Sequence, residues 1–219
     1  MSPHRGRGVD LQARVDQPTV IVVDDDERLR AALEVLFESI GLQVLSFGSA
    51  AELLGARMPD APICLLLDVR LPGLNGLDLQ SELGKRAHSV PIIFMTGYGD
   101  VPMTVRAMKA GAVDFLGKPF QMPDMLKAVQ IALARDREQR ERRTAIQRLR
   151  DRQESLTPRE VQVMRYVTRG MMNKEIAAEM GIAEQTIKVH RGNLMRKMEA
   201  NSVADLVAMF DKLDIPAAD

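Results

Sequence analysis

The sequence predicts a doubly wound, parallel α/β domain followed by an all-α domain, the two joined by a long polar helix. Three patterns carry this expectation. Five apolar runs alternate with helical stretches between residues 19 and 134. Residues 135–154 contain eight arginines and neither Gly nor Pro. From Leu156 onward the pattern is helical, broken by cap residues at short intervals. Apolar runs of this length read as strands buried on both faces, and strands alternating with helices imply a parallel sheet with right-handed crossovers.

Strands are expected near 19–23, 43–47, 63–67, 91–95 and 112–116. Leu29, Leu33, Leu36, Phe37 and Ile40 share one face of a first helix, and Gly41 stops it. Later helical stretches lie near 49–55, 76–84, 101–110 and 122–134, which closes the first domain at 18–134. Residues 135–154 favour helix by composition and read as a solvated linker. Its few large apolar residues, Ile146 and Leu149, form a short seam for a partner together with Leu156. Asp136, Glu138, Glu141 and Asp151 argue against a basic DNA-binding helix there. In the last domain, 155–219, Thr157-Pro158-Arg159-Glu160 combines an N-cap, a Pro at the first helical position and a capping-box Glu. That helix runs to about Arg169. Asn173 opens a second, closed by Gly181. Glu184 to Met198 is a third, and Ser202 caps a fourth with Leu206, Val207, Met209, Phe210 and Leu213 apolar. Helices joined through Gly181-Ile182-Ala183 have helix-turn-helix spacing.

Composition narrows the classes. Of 219 residues, 46% are hydrophobic, enough for two cores. Residues 1–134 carry 13 basic and 16 acidic residues and residues 135–219 carry 17 and 14, so cation chemistry is expected early and polyanion contact late. Cys64 is the only cysteine, which excludes an intramolecular disulfide and fits a reducing cytoplasm. One Cys and the scattered His4, His88 and His190 exclude a Cys/His metal site. No apolar run is long enough to span a membrane. Residues 1–17 have arginines but no apolar core, so they read as a disordered lead-in and not a signal peptide.

The polar residues at the strand ends point to chemistry. The first run delivers Asp24-Asp25-Asp26, the third Asp68, the fourth Thr96, and the fifth leads to Lys118. The carboxyl edge of an open α/β sheet is where ligands bind. Carboxylates with few other donors suit Mg²⁺, and such a cation draws in and neutralises a phosphoryl group. Asp68 is then a candidate nucleophile forming an acyl phosphate, with Lys118 and Thr96 on the phosphoryl oxygens. Asp24-Asp25-Asp26 taken alone also suits a helix N-terminus.

Residues 19–134 resemble the receiver domain of two-component response regulators. The resemblance rests on VVDDDE at 22–27, LLLDVRLPGLNGLDL at 65–79, MTG at 95–97 and DFLGKPF at 114–120, with 99–120 similar to the FixJ-like branch. LTPREVQVM at 156–164, NKEIAAEMGIAEQTIKVH at 173–190 and MRKM at 195–198 resemble the LuxR-type helix-turn-helix. This resemblance implies the NarL/FixJ class: a flavodoxin-like receiver with strand order 2-1-3-4-5 and a four-helix DNA-binding domain. It implies Asp68 as the phosphoacceptor charged by a sensor histidine kinase. Asp24 and Asp25 become the acidic pocket, with Asp25 a direct Mg²⁺ ligand and the Arg70 carbonyl a backbone ligand. Thr96 and Phe115 become the switch pair, and the Lys118–Pro119 bond is expected cis. It further implies pairing of phosphorylated receivers through Val101, Val105, Met108 and Lys109, with Val207 and Phe210 as an alternative pairing surface. Promoter binding implies RNA polymerase as a further partner. Arg70 and Tyr98, each two residues past a site residue, are expected to flank the phosphoryl and slow its hydrolysis.

For DNA, Glu184–Met198 is the recognition helix. Thr186, Lys188, Val189 and Arg191 are the groove candidates, and Asn173 and Lys174 are phosphate candidates at the preceding helix start. The family puts contacts at Lys188 and Val189 in particular. Gly192 departs from relatives that carry a long basic side chain there. Ile176, Ala177, Ile187 and Leu194 read as core and His190 as structural. Two rival classes remain. An aspartyl-phosphate phosphatase wants a second Asp where Arg70 stands. A phosphate-independent scaffold leaves the set Asp24, Asp25, Asp68, Thr96 and Lys118 without a purpose.

Overall fold

The computed structural model describes residues 17–85, 90–97 and 101–213. The lead-in expected at 1–17 falls outside these residues apart from Gln17, and so does Tyr98. The chain divides into two compact units, Met1–Arg140 and Glu141–Asp219.

In the first unit, β1 (Thr19–Val23), β2 (Gln43–Phe47), β3 (Ile63–Asp68), β4 (Ile92–Thr96) and β5 (Asp114–Gly117) form one parallel sheet in the order β2-β1-β3-β4-β5. The period of two in side-chain direction divides each buried strand between two cores. Ile21, Val23, Leu65, Leu67 and Phe94 pack with Leu53 of α2 (Ala50–Gly55), Leu79 and Leu83 of α3 (Gly76–Gly84) and Ala107 of α4 (Val101–Lys109). Val20, Val22, Cys64, Leu66, Ile93 and Met95 pack with Leu33 and Phe37 of α1 (Glu27–Ser39) and with Met125, Ala128, Val129 and Ala132 of α5 (Met122–Glu154). This is the doubly wound plan that the alternating runs imply.

The boundaries of three elements differ from expectation for identifiable reasons. Helix α1 begins two residues early because Asp26 caps it, its carboxylate accepting from Arg28 N and Leu29 N. Strand β5 begins at Asp114, after the left-handed turn at Gly111 (φ 90°). The helix expected to end near 134 is continuous with the linker, as α5 (Met122–Glu154). Composition could not separate them because no Gly or Pro marks a boundary. Asp136, expected on a solvated face, is 2% exposed and accepts from Ile63 N at 2.9 Å, while Arg140 pairs with Asp60. These contacts hold α5 on the sheet as far as Arg140.

In the second unit, α6 (Pro158–Thr168), α7 (Asn173–Met180), α8 (Glu184–Met198) and α9 (Val203–Lys212) enclose a core of Val163, Met164, Val167, Ile176, Ile187, Leu194, Met198 and Leu206. Leu149 and Leu156, expected to form a partner seam, belong to this core and are buried. Their spacing matched a seam, but the core of their own unit takes them up instead. The Thr157 capping box forms, and its Glu160 is also a cross-link: the carboxylate accepts from Thr157 N (2.8 Å) and from Lys197 Nζ of α8 (2.7 Å). Burial opposes its ionisation, but these hydrogen bonds outweigh that and hold the carboxyl below its ordinary 4.5.

A glutamate depressed in the folded state contributes stability that is present above its unfolded value and lost as pH falls through the folded one. Glu160→Gln should therefore cost the second unit about 1–3 kcal/mol at neutral pH. The difference from the unaltered chain should shrink as pH drops below about 4.5. Thermal unfolding across that range, with both proteins followed side by side, checks it.

Candidate functional site

The carboxyl edge of the sheet gathers the site. Asp24 follows β1 and is fully buried, and Asp68 ends β3 at 7% exposure. Lys118, just past β5, donates from Nζ to Asp24 Oδ2 (2.6 Å) and Asp68 Oδ2 (2.9 Å). Asp25 is exposed beside them, and ligand oxygens of Asp24, Asp25 and Asp68 all lie within 4.8 Å of one another. Asp68 Oδ1 accepts from Arg70 N (3.2 Å). Thr96 ends β4, is buried, and its carbonyl accepts from Lys118 N (2.6 Å). The Lys118–Pro119 bond is cis.

Electrostatics explains the arrangement. Burial pushes the Asp24 carboxyl above its ordinary value, and the hydrogen bonds from Lys118 and Asp26 N only partly offset this. Burial also works against the Lys118 ammonium, but its bonds to Asp24 and Asp68 prevail and raise its pKa. Three carboxylates face one ammonium, so the pocket carries excess negative charge that a divalent cation would neutralise. The donor set is all oxygen, with one exposed carboxylate as an entry point, and it suits a hard cation.

Phe115 of β5 lies opposite Phe94 in register, ring centroids 6.1 Å apart, and is half-buried. On α4, Val101, Val105, Met108 and Lys109 are all exposed, Val101 at 77%. Two residues that sequence reasoning missed shape the pocket. Arg30 Nη1 donates to the Asp24 carbonyl (2.6 Å), fixing the acidic loop to α1. Gly76, first residue of α3, packs so closely that an added Cβ would stand 2.5 Å from the Asp68 carbonyl oxygen. An asparagine–glycine pair signals a turn, but nothing local signals this approach.

In the second unit, α7 and α8 form the expected helix-turn-helix, Gly181 closing α7 in the left-handed conformation (φ 64°). Ile176, Ala177, Ile187 and Leu194 are buried as expected, and His190 is half-buried. Lys174, Thr186, Lys188 and Val189 are exposed. Lys188 lies 3.5 Å from Glu184 one turn earlier. Asn173 and Arg191 are paired with each other, Arg191 Nη1 donating to Asn173 Oδ1 (2.9 Å). This contact ties α8 to the start of α7.

Comparison with known proteins agrees with this architecture. Residues 20–130 match the response regulator receiver domain, and residues 154–210 match the bacterial regulatory proteins of the luxR family. Nodulation protein W of Bradyrhizobium diazoefficiens is 52% identical over 97% of this chain and 93% of its own. The chain belongs to the FixJ-like response regulators with a LuxR-type DNA-binding domain. The transcriptional regulatory protein FixJ of Azorhizobium caulinodans is 42% identical over 91% of this chain and 95% of its own. Among solved structures, the response regulator StyR superposes with a TM-score of 0.82 at 46% identity, over 90% of this chain and 99% of that one. FixJ is a transcriptional regulatory protein, and the two domains indicate a histidine kinase and DNA as partners. Among the described residues, no helix is long and apolar enough to cross a membrane.

Proposed function

We propose that this response regulator is switched by phosphorylation of Asp68. The observation that carries the reading is the Lys118 ammonium bridging Asp24 and Asp68 with Asp25 in reach. Asp24, Asp25, Asp68 and the Arg70 carbonyl are the groups that would hold Mg²⁺. When bound, Mg²⁺ supplies Lewis-acid neutralisation of phosphoryl oxygens. An Asp68 carboxylate oxygen bonds to phosphorus as the bond from phosphorus to the kinase imidazole nitrogen breaks, and the electron pair leaves with that nitrogen. The product is an acyl phosphate. Lys118 holds the phosphoryl oxygens by charge, and Thr96, at the adjacent strand end, donates a hydrogen bond to them. Movement of Thr96 makes room for Phe115 to turn inward.

The new packing at β5 and α4 is read by a second copy. Val101, Val105 and Met108 offer an apolar surface there, with Lys109 at its edge. Phe210, the alternative, packs against the core of its own unit, which favours the α4 surface. The dimer then sets two α8 helices on DNA half-sites and acts on RNA polymerase in the cytoplasm. Lys188, Val189 and Thr186 face the groove, with Lys174 toward phosphate. Asn173 and Arg191 contribute by keeping α7 and α8 in register.

Incubation with acetyl phosphate and Mg²⁺ tests this. Intact-mass measurement should show one added phosphoryl group, lost in Asp68→Asn and on metal chelation. Retention of the added mass in Asp68→Asn would place the acceptor elsewhere.

A further inference from the structure

Helices α1, α4, α6 and α7 each leave through a left-handed glycine: Gly41, Gly111, Gly170 and Gly181. Helix α8 leaves through Glu199 (φ 54°), the only non-glycine residue of positive φ among the described residues. A side chain on such a backbone disfavours the fold by about five- to thirtyfold relative to glycine. The backbone needs nothing from that side chain. Glu199 N donates to the Arg196 carbonyl (3.2 Å) and Ala200 N to the Met195 carbonyl (3.0 Å), and these bonds close α8.

The side chain receives Arg152. The Glu199 carboxylate accepts from Arg152 Nη2, and Arg152 Nη1 donates to the Met198 carbonyl (3.4 Å). Arg152 lies in the last turn of α5, and Ser155, the next residue after that helix, accepts through its carbonyl from Lys197 Nζ of α8 (3.0 Å). The end of the linker helix is thus fastened to the end of α8 at three points. Stability does not account for Glu199. Its side chain is 66% exposed, and an exposed ion pair favours folding by no more than about fivefold, at best the lower end of the backbone cost. The Arg152 cation already suits the negative end of α8 without a carboxylate beside it. What the pair adds is a fixed placement of α8 on α5.

We propose that Glu199 and Arg152 are positioning residues that hold α8 on the end of α5, and that the gain in DNA affinity on phosphorylation reaches α8 through this pair. Helix α5 suits the part of carrier because it is continuous from Met122 to Glu154. The inference rests on the phosphorylation and DNA-binding readings above and adds the contact by which the linker acts on α8. The full chain with acetyl phosphate and Mg²⁺ selects duplexes from a random-core pool. Affinity for the selected duplex is then measured with and without acetyl phosphate. Glu199→Gly, Arg152→Met and the double variant should each take up the phosphoryl group, yet the ratio of the two affinities should fall about fivefold or more in each. The double variant should lose no more than either single one, because the two residues form one contact. Exchange of the α8 core amides around Ile187 and Leu194 should be unchanged or slower in Glu199→Gly, whose backbone is relieved. An unchanged ratio in Glu199→Gly overturns the inference and leaves DNA binding intact. Faster exchange accompanying a lower ratio also overturns it, since a lost helix end would then be the cause. Additive losses in the double variant overturn the pair. Failure of the unaltered chain to enrich any duplex removes the DNA reading itself, and the inference with it.

Discussion

Gly76→Ala is expected to destabilise the first unit by about 3 kcal/mol or more, at the upper end for overpacking a filled site. The added methyl would stand 2.5 Å from the Asp68 carbonyl oxygen, 3.0 Å from Val69 Cα and 3.2 Å from the Phe94 ring. Two of these three are backbone atoms, so no rotamer change relieves the clash. The glycine amide also donates to the Val69 carbonyl (2.9 Å), tying α3 to the same segment. Asn75 fixes α3 from the other side, its side chain accepting from Leu77 N and Asp78 N. The backbone must therefore shift at the residue proposed to receive the phosphoryl group. Urea unfolding should show the lower stability, and acetyl phosphate should label the variant slowly under conditions where it remains folded. A variant with unaltered midpoint and labelling rate would mean that the loop after β3 yields easily.

The sheet was legible because burial leaves a simple trace. Ile63–Leu67 and Ile92–Met95 are continuous apolar runs, and an acid or hydroxyl at the end of each stands out. The site residues were legible for the same reason, each lying where a run stops. Interactions that depend on distant segments left no local trace. Asp136 reads as one charge in a polar helix, yet its carboxylate binds the first amide of β3, 73 residues away in sequence. Glu160 reads as a capping-box residue, and its bond to Lys197 crosses 37 residues. Arg30 is different: its contact with the Asp24 carbonyl is local, six residues back across the start of α1, but an arginine in a first helical turn carries no signal that singles it out. Local patterns encode which face is buried and where an element starts. They do not encode which remote group arrives there.

Lys118→Met is expected to have the second large effect, and the sign of its response to metal is the informative part. The substitution keeps a long chain but removes the charge between Asp24 Oδ2 and Asp68 Oδ2. Breaking a buried ion pair by deleting one partner costs about 3–5 kcal/mol, and since Lys118 remains 23% exposed the loss here should be about 2–4 kcal/mol. Water reaches Asp68 more readily than the fully buried Asp24, so most of the penalty falls on Asp24. A divalent cation among Asp24, Asp25 and Asp68 can replace the missing charge. Mg²⁺ should consequently raise the stability of the variant more than that of the unaltered chain, by the linkage between binding and folding. Denaturant unfolding in chelator and in excess Mg²⁺, for both proteins, measures the difference. Acyl phosphate formed on Asp68 in the variant should lack the ammonium contact proposed to draw Thr96 and β5 together. Phosphorylation and pairing should separate, with the added mass retained and no shift to dimer in sedimentation. If Mg²⁺ stabilises both proteins equally, the cation does not take over the charge that Lys118 supplies; if it stabilises neither, the carboxylate cluster is not the metal site. If the labelled variant dimerises normally, Lys118 is not part of the path from Asp68 to α4.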